Sequence, residues 1–202
     1  MVDSKSKFFQ YIKDCREQLA EAEESGNLER ICLAKANLGY ALLQTAAAAE
    51  GMNLMEEAAE IADNSDDHDL KIKYLNLRLL AFQIMGRLPD AYSLAEEIYE
   101  LGSEVGDKGV QSDALVNMGQ IMLDSGDQIV ALEKFTEAQN LAEALNDNFR
   151  LMKVFGALGQ YSMSVPSLEK AQIYFEKARR IAIEMDQKEN VIGFTGDISS
   201  IL

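Results

Sequence analysis

Histidine, cysteine and proline are scarce in this sequence: its 202 residues include one histidine, two cysteines and two prolines. With a single histidine, most schemes of acid–base catalysis have no candidate residue. The two cysteines, Cys15 and Cys32, lack the spacing of a metal-binding pair. There is also no nucleophile elbow and no phosphate-binding glycine loop. We therefore expect a protein that is not an enzyme and that has no catalytic, cofactor-binding or metal-binding residues.

Positive charge is outnumbered as well: nineteen Lys and Arg stand against thirty-four Asp and Glu, a net charge of −15. A field of this sign repels nucleic acids and anionic membranes and favours a basic partner, although acidic helix faces also serve solubility alone. No apolar run is long enough to cross a membrane, and the first ten residues lack the apolar core of a signal peptide. These features predict a cytoplasmic protein.

The histidine lies in an acidic segment, DNSDDHDL at 63–70. Asp63, Asp66, Asp67 and Asp69 with His68 suggest a metal site, but the segment lacks the glycine and the final glutamate of a calcium-binding loop. A solvated turn that supplies a helix N-cap is the favoured interpretation.

Small residues recur at a fixed spacing. Gly39, Gly119 and Gly159 have similar neighbours and lie 80 and 40 residues apart, which indicates a period of 40 with Leu79 in the missing place. Three further columns keep the same register without insertion or deletion, and together they establish an internal repeat. These columns are Gly51, Ala91, Ala131 and Ala171; Met55, Ala95, Phe135 and Phe175; and Ala58, Ile98, Ala138 and Ala178.

Each copy has the periodicity of helices. Apolar residues in 127–146 follow the i, i+3, i+4 pattern of one helix face, and charged residues occupy the other face. Helix-breaking segments such as GRLPD at 86–90 and DSGD at 124–127 separate these stretches. Each repeat therefore contains two helices, and such hairpins stack on their neighbours into a solenoid.

The columns resemble the tetratricopeptide repeat, which has a leucine–glycine pair and a large residue on its first helix, then alanine, phenylalanine and alanine on its second. The best match comprises Met118, Gly119, Met122, Gly126, Ala131, Phe135 and Ala138. The resemblance implies an all-α fold, a right-handed α-solenoid of antiparallel helix hairpins with about four repeats and terminal capping helices. The 40-residue period resembles the long-period members, including kinesin-light-chain-like, LGN-like and Rap-like arrays, which are peptide-binding or regulatory modules.

Close packing explains the family pattern, because a glycine on the first helix that faces an alanine on the second lets the two backbones approach. In the second copy Leu79 replaces the glycine and Ala95 replaces the aromatic residue. This exchange of large and small side chains would conserve the core volume.

The resemblance divides the chain into three parts. Residues 1–27 are expected to form an N-terminal capping helix, with its amphipathic part at 5–24. Residues 28–187 hold four 40-residue repeats. Residues 188–202 are either a C-terminal capping helix or the start of a truncated further repeat.

In this family the first helix of each repeat lines the concave surface, so its positions around the glycine column predict where a partner binds. The predicted residues mix side-chain amides with medium-sized apolar groups, a composition that suits a peptide or an amphipathic helix. They are Asn37, Tyr40, Leu43, Gln44, Asn76, Leu80, Gln83, Ile84, Asn117, Gln120, Leu123, Gln160 and Met163.

Asn37 and Asn117 resemble members of an asparagine ladder that binds a peptide backbone in the long-period arrays. The ladder is interrupted by Leu77 and Ala157, and the alternative is that these asparagines tie neighbouring helices together. A clamp for a C-terminal carboxylate is not expected, because Ala36, Tyr40 and Leu77 stand where it needs polar or basic groups. Lys73 and Lys153 are expected to face the groove as isolated charges.

The leading hypothesis is a non-catalytic scaffold or adaptor whose groove holds a peptide or amphipathic helix of a partner protein. One alternative is a structural protein that self-assembles through its terminal helices, with apolar candidates at both ends. These candidates are Phe8, Phe9, Tyr11, Ile12, Val191, Ile192, Phe194, Ile198, Ile201 and Leu202. Another alternative is the sensor or docking domain of a longer signalling protein.

Overall fold

The computed structural model describes residues 4–165 and 167–201, and this part of the chain contains helices and turns but no β-strand. The ten helices are α1 Ser4–Ser25, α2 Leu28–Leu43, α3 Ala48–Asp63, α4 His68–Ile84, α5 Leu88–Glu104, α6 Lys108–Asp124, α7 Gln128–Leu145, α8 Asn148–Ser164, α9 Leu168–Glu184 and α10 Lys188–Ser199. The chain forms two compact units, Met1–Leu94 and Ala95–Leu202, whose boundary falls within α5.

Five helices, α2, α4, α6, α7 and α8, follow an asparagine or aspartate whose side chain caps free backbone N–H groups of the first turn. Asp67 Oδ1 accepts hydrogen bonds from the N–H groups of Asp69 and Leu70, at 2.9 and 3.2 Å. Asp107, Asp127 and Asp147 cap α6, α7 and α8 in the same way. The acidic segment before α4 therefore supplies an N-cap, as its sequence predicts.

Several helices are followed within two residues by a residue with left-handed backbone geometry, and from residue 86 onward these residues recur at multiples of twenty positions. They are Gly86, Gly106, Gly126, Asn146 and Asp186, with φ between 51° and 88°. The backbone of Gly106 needs this geometry so that the N–H of Asp107 can reach back to the carbonyl of Gly102, at 2.8 Å. One helix and one turn therefore occupy twenty residues, half of the 40-residue period.

Within each unit, the second helix of a hairpin packs its repeat columns against the first helix. Ala131, Phe135 and Ala138 on α7 are fully buried, and Ala171, Phe175 and Ala178 on α9 are at most 1% exposed. A Cβ built on Gly119 would lie 2.5 Å from the Phe135 ring. In these later repeats, the glycine thus lies against the large residue of the second helix, and not primarily against its alanine as the family pattern suggests.

The first repeat follows the expected pattern more closely, because Gly39 and Gly51 face each other. A Cβ on Gly39 would meet the carbonyl oxygen of Gly51 at 2.8 Å, and a Cβ on Gly51 would meet that of Gly39 at 2.7 Å. Met55 takes the place that phenylalanine has in later repeats. In the second copy, the side chains of Leu79 and Ala95 are both fully buried.

A side-chain hydrogen bond recurs with the repeat in two of the hairpins. Ser112 Oγ donates to the carbonyl of Ala138 at 3.1 Å, and Cys32 Sγ donates to the carbonyl of Ala58 at 3.3 Å. The two pairs are related by two periods along the sequence. Each fixes the register of a first helix against the alanine column of its second helix, and burial raises the pKa of the Cys32 thiol to about 11.

Candidate functional site

The predicted partner-binding residues of the first unit lie on two neighbouring helices, α2 and α4, which pack against each other. None of them is buried: Asn37, Tyr40 and Leu43 are half-buried on α2, and Gln44 is exposed at its C-terminus. On α4, Asn76 and Gln83 are half-buried, and Leu80 and Ile84 are 41% and 44% exposed. The accessible residues of these two helices therefore include both amide groups and apolar groups.

The second unit repeats this arrangement on α6 and α8, which also pack against each other. Asn117, Gln120 and Leu123 are half-buried on α6, and Gln160 and Met163 are exposed on α8. Residues close to them in the sequence, such as Met118 and Leu158, are buried in the core. We call the thirteen residues of α2, α4, α6 and α8 together the first-helix stripe.

Two polar side chains of the first-helix stripe form hydrogen bonds within their own helices. Asn76 Nδ2 donates to the carbonyl of Ile72 at 2.9 Å, and Gln120 Nε2 donates to Asp124 Oδ1 at 2.9 Å. Ala157, at a position that a continuous asparagine ladder would need, is only 7% exposed. That Asn37 and Asn117 bind a peptide backbone as a ladder stays a prediction. The ladder would be interrupted on α8, where Ala157 takes the asparagine position.

The lysines predicted as isolated charges are ion-paired, so that prediction is wrong. Lys73 Nζ lies 2.6 Å from Asp69 and 3.7 Å from Glu29 of the preceding first helix. Lys153 Nζ lies 2.5 Å from Asp113, which is one period earlier. The pKa of Lys73 is raised by its hydrogen bond to Asp69.

In the second unit, Arg150 shares Asp113 with Lys153 and so belongs to the same group of ion pairs. Its guanidinium contacts Asp113 at 3.0 Å and Asp147 at 2.5 Å, and Nε donates to the carbonyl of Gly109 at 2.9 Å. Gly109 leaves room for this contact, because a Cβ there would lie 2.5 Å from Arg150 Cζ and the guanidinium would have to shift. The carboxylate of Asp147 accepts from the backbone N–H of Arg150, which holds its pKa below the usual value.

Charge is divided between the two kinds of helix. The first helices α2, α4, α6 and α8 contain eight Lys and Arg and four Asp and Glu. The second helices α3, α5, α7 and α9 contain five Lys and Arg and sixteen Asp and Glu. Within these eight helices, the negative charge therefore lies mainly on the second helices, which do not carry the first-helix stripe.

The histidine and its acidic neighbours do not assemble a metal site. His68 is exposed and is the first residue of α4, and Asp67 is engaged as its N-cap. Across residues 4–165 and 167–201, no three His, Cys, Asp or Glu side chains cluster in a way that would hold a metal ion. Cys15 and Cys32 are both buried and reduced.

The apolar candidates for self-assembly at the chain ends are only partly exposed. Phe9 and Ile192 are 68% and 73% exposed. In contrast, Ile12 packs against the core of α1 and α2, and the ring centroid of Phe194 lies 6.4 Å from that of Phe175. Leu202 lies outside the described residues. No described helix is both long enough and apolar enough to cross a bilayer.

No protein-family model and no curated protein matches this sequence. Several solved structures, however, are similar to this chain. BtubC (BKLC) from P. vanneervenii has a TM-score of 0.71 at 17% identity, and the match covers 96% of this chain and 86% of that one. A STAND-type signal transduction ATPase with a tetratricopeptide repeat sensor, from Pyrococcus horikoshii, has a TM-score of 0.75 at 18% identity. That match covers 94% of this chain and 30% of the ATPase.

A third similar structure is aspartyl phosphate phosphatase F from Bacillus subtilis, with a TM-score of 0.69 at 15% identity and coverage of 98% and 55%. This chain therefore spans about a third of the length of the STAND-type ATPase and about half of the length of the phosphatase. At these identities the likeness shows the fold alone. It confirms the predicted class, an all-α helical-repeat fold of the tetratricopeptide-like kind.

Proposed function

We propose that this protein is a non-catalytic scaffold or adaptor that holds a peptide or an amphipathic helix of a partner protein on its first-helix stripe. The observation that carries the proposal is the accessibility of these residues. All thirteen are half-buried or exposed, whereas the repeat columns beside them are buried. Each of these side chains thus keeps solvent-exposed surface that a partner could contact.

The chemistry of the first-helix stripe fits an extended peptide or a helix. Side-chain amides such as Gln83, Gln120 and Gln160 both donate and accept hydrogen bonds, which a peptide backbone requires. Leu80, Ile84 and Met163 are each more than 40% exposed and offer contacts for apolar side chains. A groove of this composition binds through a few apolar anchors with surrounding polar contacts.

The charge distribution favours an amphipathic partner over a strongly basic one. Basic residues outnumber acidic ones on the first helices, and the acidic surplus lies on the second helices. A highly basic segment would therefore be drawn to the second helices and not to the first-helix stripe. The acidic second helices keep the array soluble.

In this proposal, the array consists of the four repeats at 28–187 between capping segments at 1–27 and 188–202, and it works in the cytoplasm. In its 40-residue period the array resembles the kinesin-light-chain-like, LGN-like and Rap-like arrays, and this resemblance supports a peptide-binding or regulatory role. A sensor or docking role within a longer signalling protein is the second candidate. It is supported by the fold that this chain shares with a STAND protein that has a tetratricopeptide repeat sensor.

Selection of short random peptides on the purified protein tests the proposal and does not require that the partner be identified first. The affinity of a selected peptide is then measured by fluorescence anisotropy for the double variant Tyr40→Ala/Asn117→Ala. The matched control is Tyr99→Ala/Asn140→Ala, which removes the same residue types from second helices. Circular dichroism verifies that both variants remain helical.

We expect the first variant to lose at least about tenfold in affinity, since each truncation removes a polar contact and apolar area, and the control to bind as the unmodified protein does. Equal affinity of all three proteins, or a loss only in the control, would contradict the proposal.

A further inference from the structure

The second repeat departs from the other three on the face of α4 that points away from the first-helix stripe. Arg78 stands in a column that is otherwise buried and apolar, whose other members are Leu38, Met118 and Leu158. Tyr74 stands in a column of small residues, Ala34, Ala114 and Val154, and Phe82 follows four residues after Arg78. A polar, bulky group of side chains thus replaces ordinary core residues in this repeat alone.

A cavity of about 160 Å³ lies at this place, between α3, α4 and the turn after α4. Its inner wall is apolar and includes Met55 and Phe82, which are 4% and 8% exposed. Its mouth is formed by Glu56, Met85 and Arg87, which are exposed. All of these residues belong to the first unit.

The guanidinium groups of two arginines face one aromatic ring of the cavity. Cζ of Arg87 lies 4.3 Å from the centroid of the Phe82 ring, and Cζ of Arg78 lies 5.4 Å from it. Arg87 Nε is paired with Asp90 Oδ2 at 2.8 Å. Arg78 has no carboxylate within ion-pair distance anywhere in residues 4–165 and 167–201. Of the two arginines at this cavity, Arg78 is therefore the one whose positive charge has no carboxylate beside it.

The other titratable groups of the cavity do not compensate Arg78. Tyr74 OH donates to the carbonyl of Met55 at 3.1 Å and is also hydrogen-bonded to Arg78, a bond that brings no negative charge to the guanidinium. Burial raises the pKa of Tyr74 to about 12, an effect that the nearby Arg78 opposes, so this side chain is neutral at physiological pH. Glu56 is exposed at the mouth and forms no ion pair with Arg78. A half-buried guanidinium against an apolar wall favours an anion that brings its own apolar surface.

We propose that this cavity binds a carboxylate with a short apolar stem, with the carboxylate on Arg78 and the stem against Phe82 and Met55. The planar guanidinium matches a carboxylate with two parallel hydrogen bonds. The volume equals that of about five waters and is below the roughly 300 Å³ of a pocket for larger ligands. The occupant is therefore a small acid or an acidic group carried by a peptide.

This site is separate from the first-helix stripe. Residues two positions apart on a helix point about 200° apart, so Arg78 faces away from Asn76 and Leu80. Occupation of the cavity therefore goes beyond the proposed function, and the two can be tested independently with different variants.

Methionine provides direct reporters, because Met52, Met55 and Met85 all line the cavity. The methionine methyl groups are labelled with carbon-13, and the protein is titrated with butyrate and separately with the uncharged isostere butyramide. Butyrate is expected to shift these three resonances saturably, and butyramide to bind at least about tenfold more weakly, as is typical when a hydrogen bond to a charged group is lost. This comparison uses the unmodified protein and does not depend on any variant folding.

Variants then assign the carboxylate contact. Methionine is chosen to replace Arg78 because the third repeat has a methionine, Met118, in the same column. The variant Arg78→Met is expected to abolish the resonance shifts caused by butyrate. Arg30→Met, an exposed arginine on α2, is the matched control and is expected to leave them unchanged. Glu56→Gln removes the negative charge at the mouth and is expected to tighten binding.

A further comparison separates the two sources of the carboxylate. Capped dipeptides of leucine with glutamate, or with glutamine, are titrated in the same way. Tighter binding of the glutamate dipeptide than of butyrate assigns the group to a partner chain, and the reverse order assigns it to a free acid. The proposal is overturned if neither acid shifts the cavity methionines saturably, if butyramide binds as well as butyrate, or if Arg78→Met binds butyrate with unchanged affinity.

Discussion

Gly119 lies directly against Phe135: a Cβ added to the glycine would be 2.5 Å from Cε1 of the phenylalanine ring. Gly159 and Phe175 have the same relationship one period later, at 2.6 Å. Both rings are buried, with Phe135 0% and Phe175 1% exposed, so a shift of either ring would disturb the core. This contact explains why the glycine and the large residue recur together in these two repeats.

Replacement of Gly119 by alanine is expected to lower the free energy of unfolding by about 1–3 kcal/mol, because the added methyl group overpacks the hairpin. Gly193→Ala on α10 is the matched control, since a Cβ there meets nothing within 4 Å. The control is expected to raise stability by about 1 kcal/mol, the helical preference of alanine over glycine. Urea denaturation measures both changes. A stabilised Gly119→Ala variant would show that the contact does not constrain the hairpin.

Asp186 ends α9 with left-handed backbone geometry, at a φ of 54°. This geometry costs an ordinary residue roughly 1–2 kcal/mol, a cost that glycine avoids. Glycine gives back part of this gain because its unfolded state is more flexible and loses more entropy on folding. We therefore expect Asp186→Gly to raise the midpoint of thermal unfolding, with a gain of about 0.5–1 kcal/mol. Arg180→Gly, at an exposed position inside the helix, should instead lower stability by about 1 kcal/mol. The same sign for both changes would contradict this account of the turn.

Asp147 is expected to make stability depend on pH. The backbone N–H of Arg150 holds the pKa of its carboxyl group below the usual value, while burial opposes the shift. A carboxyl group with a lowered folded-state pKa adds stability above its unfolded pKa of about 3.9 and loses that contribution as the pH falls through the folded-state pKa.

The comparison is with Asp147→Asn, which keeps an N-capping side chain but cannot ionise. Between about pH 5 and pH 2, the unfolding free energy of the unmodified protein should fall more steeply than that of the variant. Parallel pH profiles from urea denaturation would show that the ionised carboxylate has no role in stability.

The sequence was sufficient to predict the repeat architecture because its signals are local and periodic. Columns such as Ala131, Phe135 and Ala138 identify the buried face of a helix whichever elements pack against it. The turn glycines and the N-cap at Asp67 mark helix ends by their intrinsic backbone and hydrogen-bonding preferences.

The features that the sequence did not predict depend on contacts between distant residues. The pairing of Lys153 with Asp113 joins residues one period apart on neighbouring first helices. Nothing in the local sequence of either residue indicates the other. The accessible face of α4 was predicted from the family pattern, whereas the cavity in front of Arg78 depends on how α3 and α4 pack. The one available signal was an arginine in a column of large apolar residues.

The central claim is that a partner binds on the first helices, and a spin-labelled peptide tests it most directly. A nitroxide is attached to a peptide selected on the protein, and the side-chain amide NMR signals are recorded with the nitroxide oxidised and reduced. We predict that Gln83, Gln120 and Gln160 lose intensity in the oxidised state, while Asn53, Asn140 and Gln172 on the second helices do not. Loss of intensity at Asn53, Asn140 and Gln172 with unchanged first-helix signals would contradict the account.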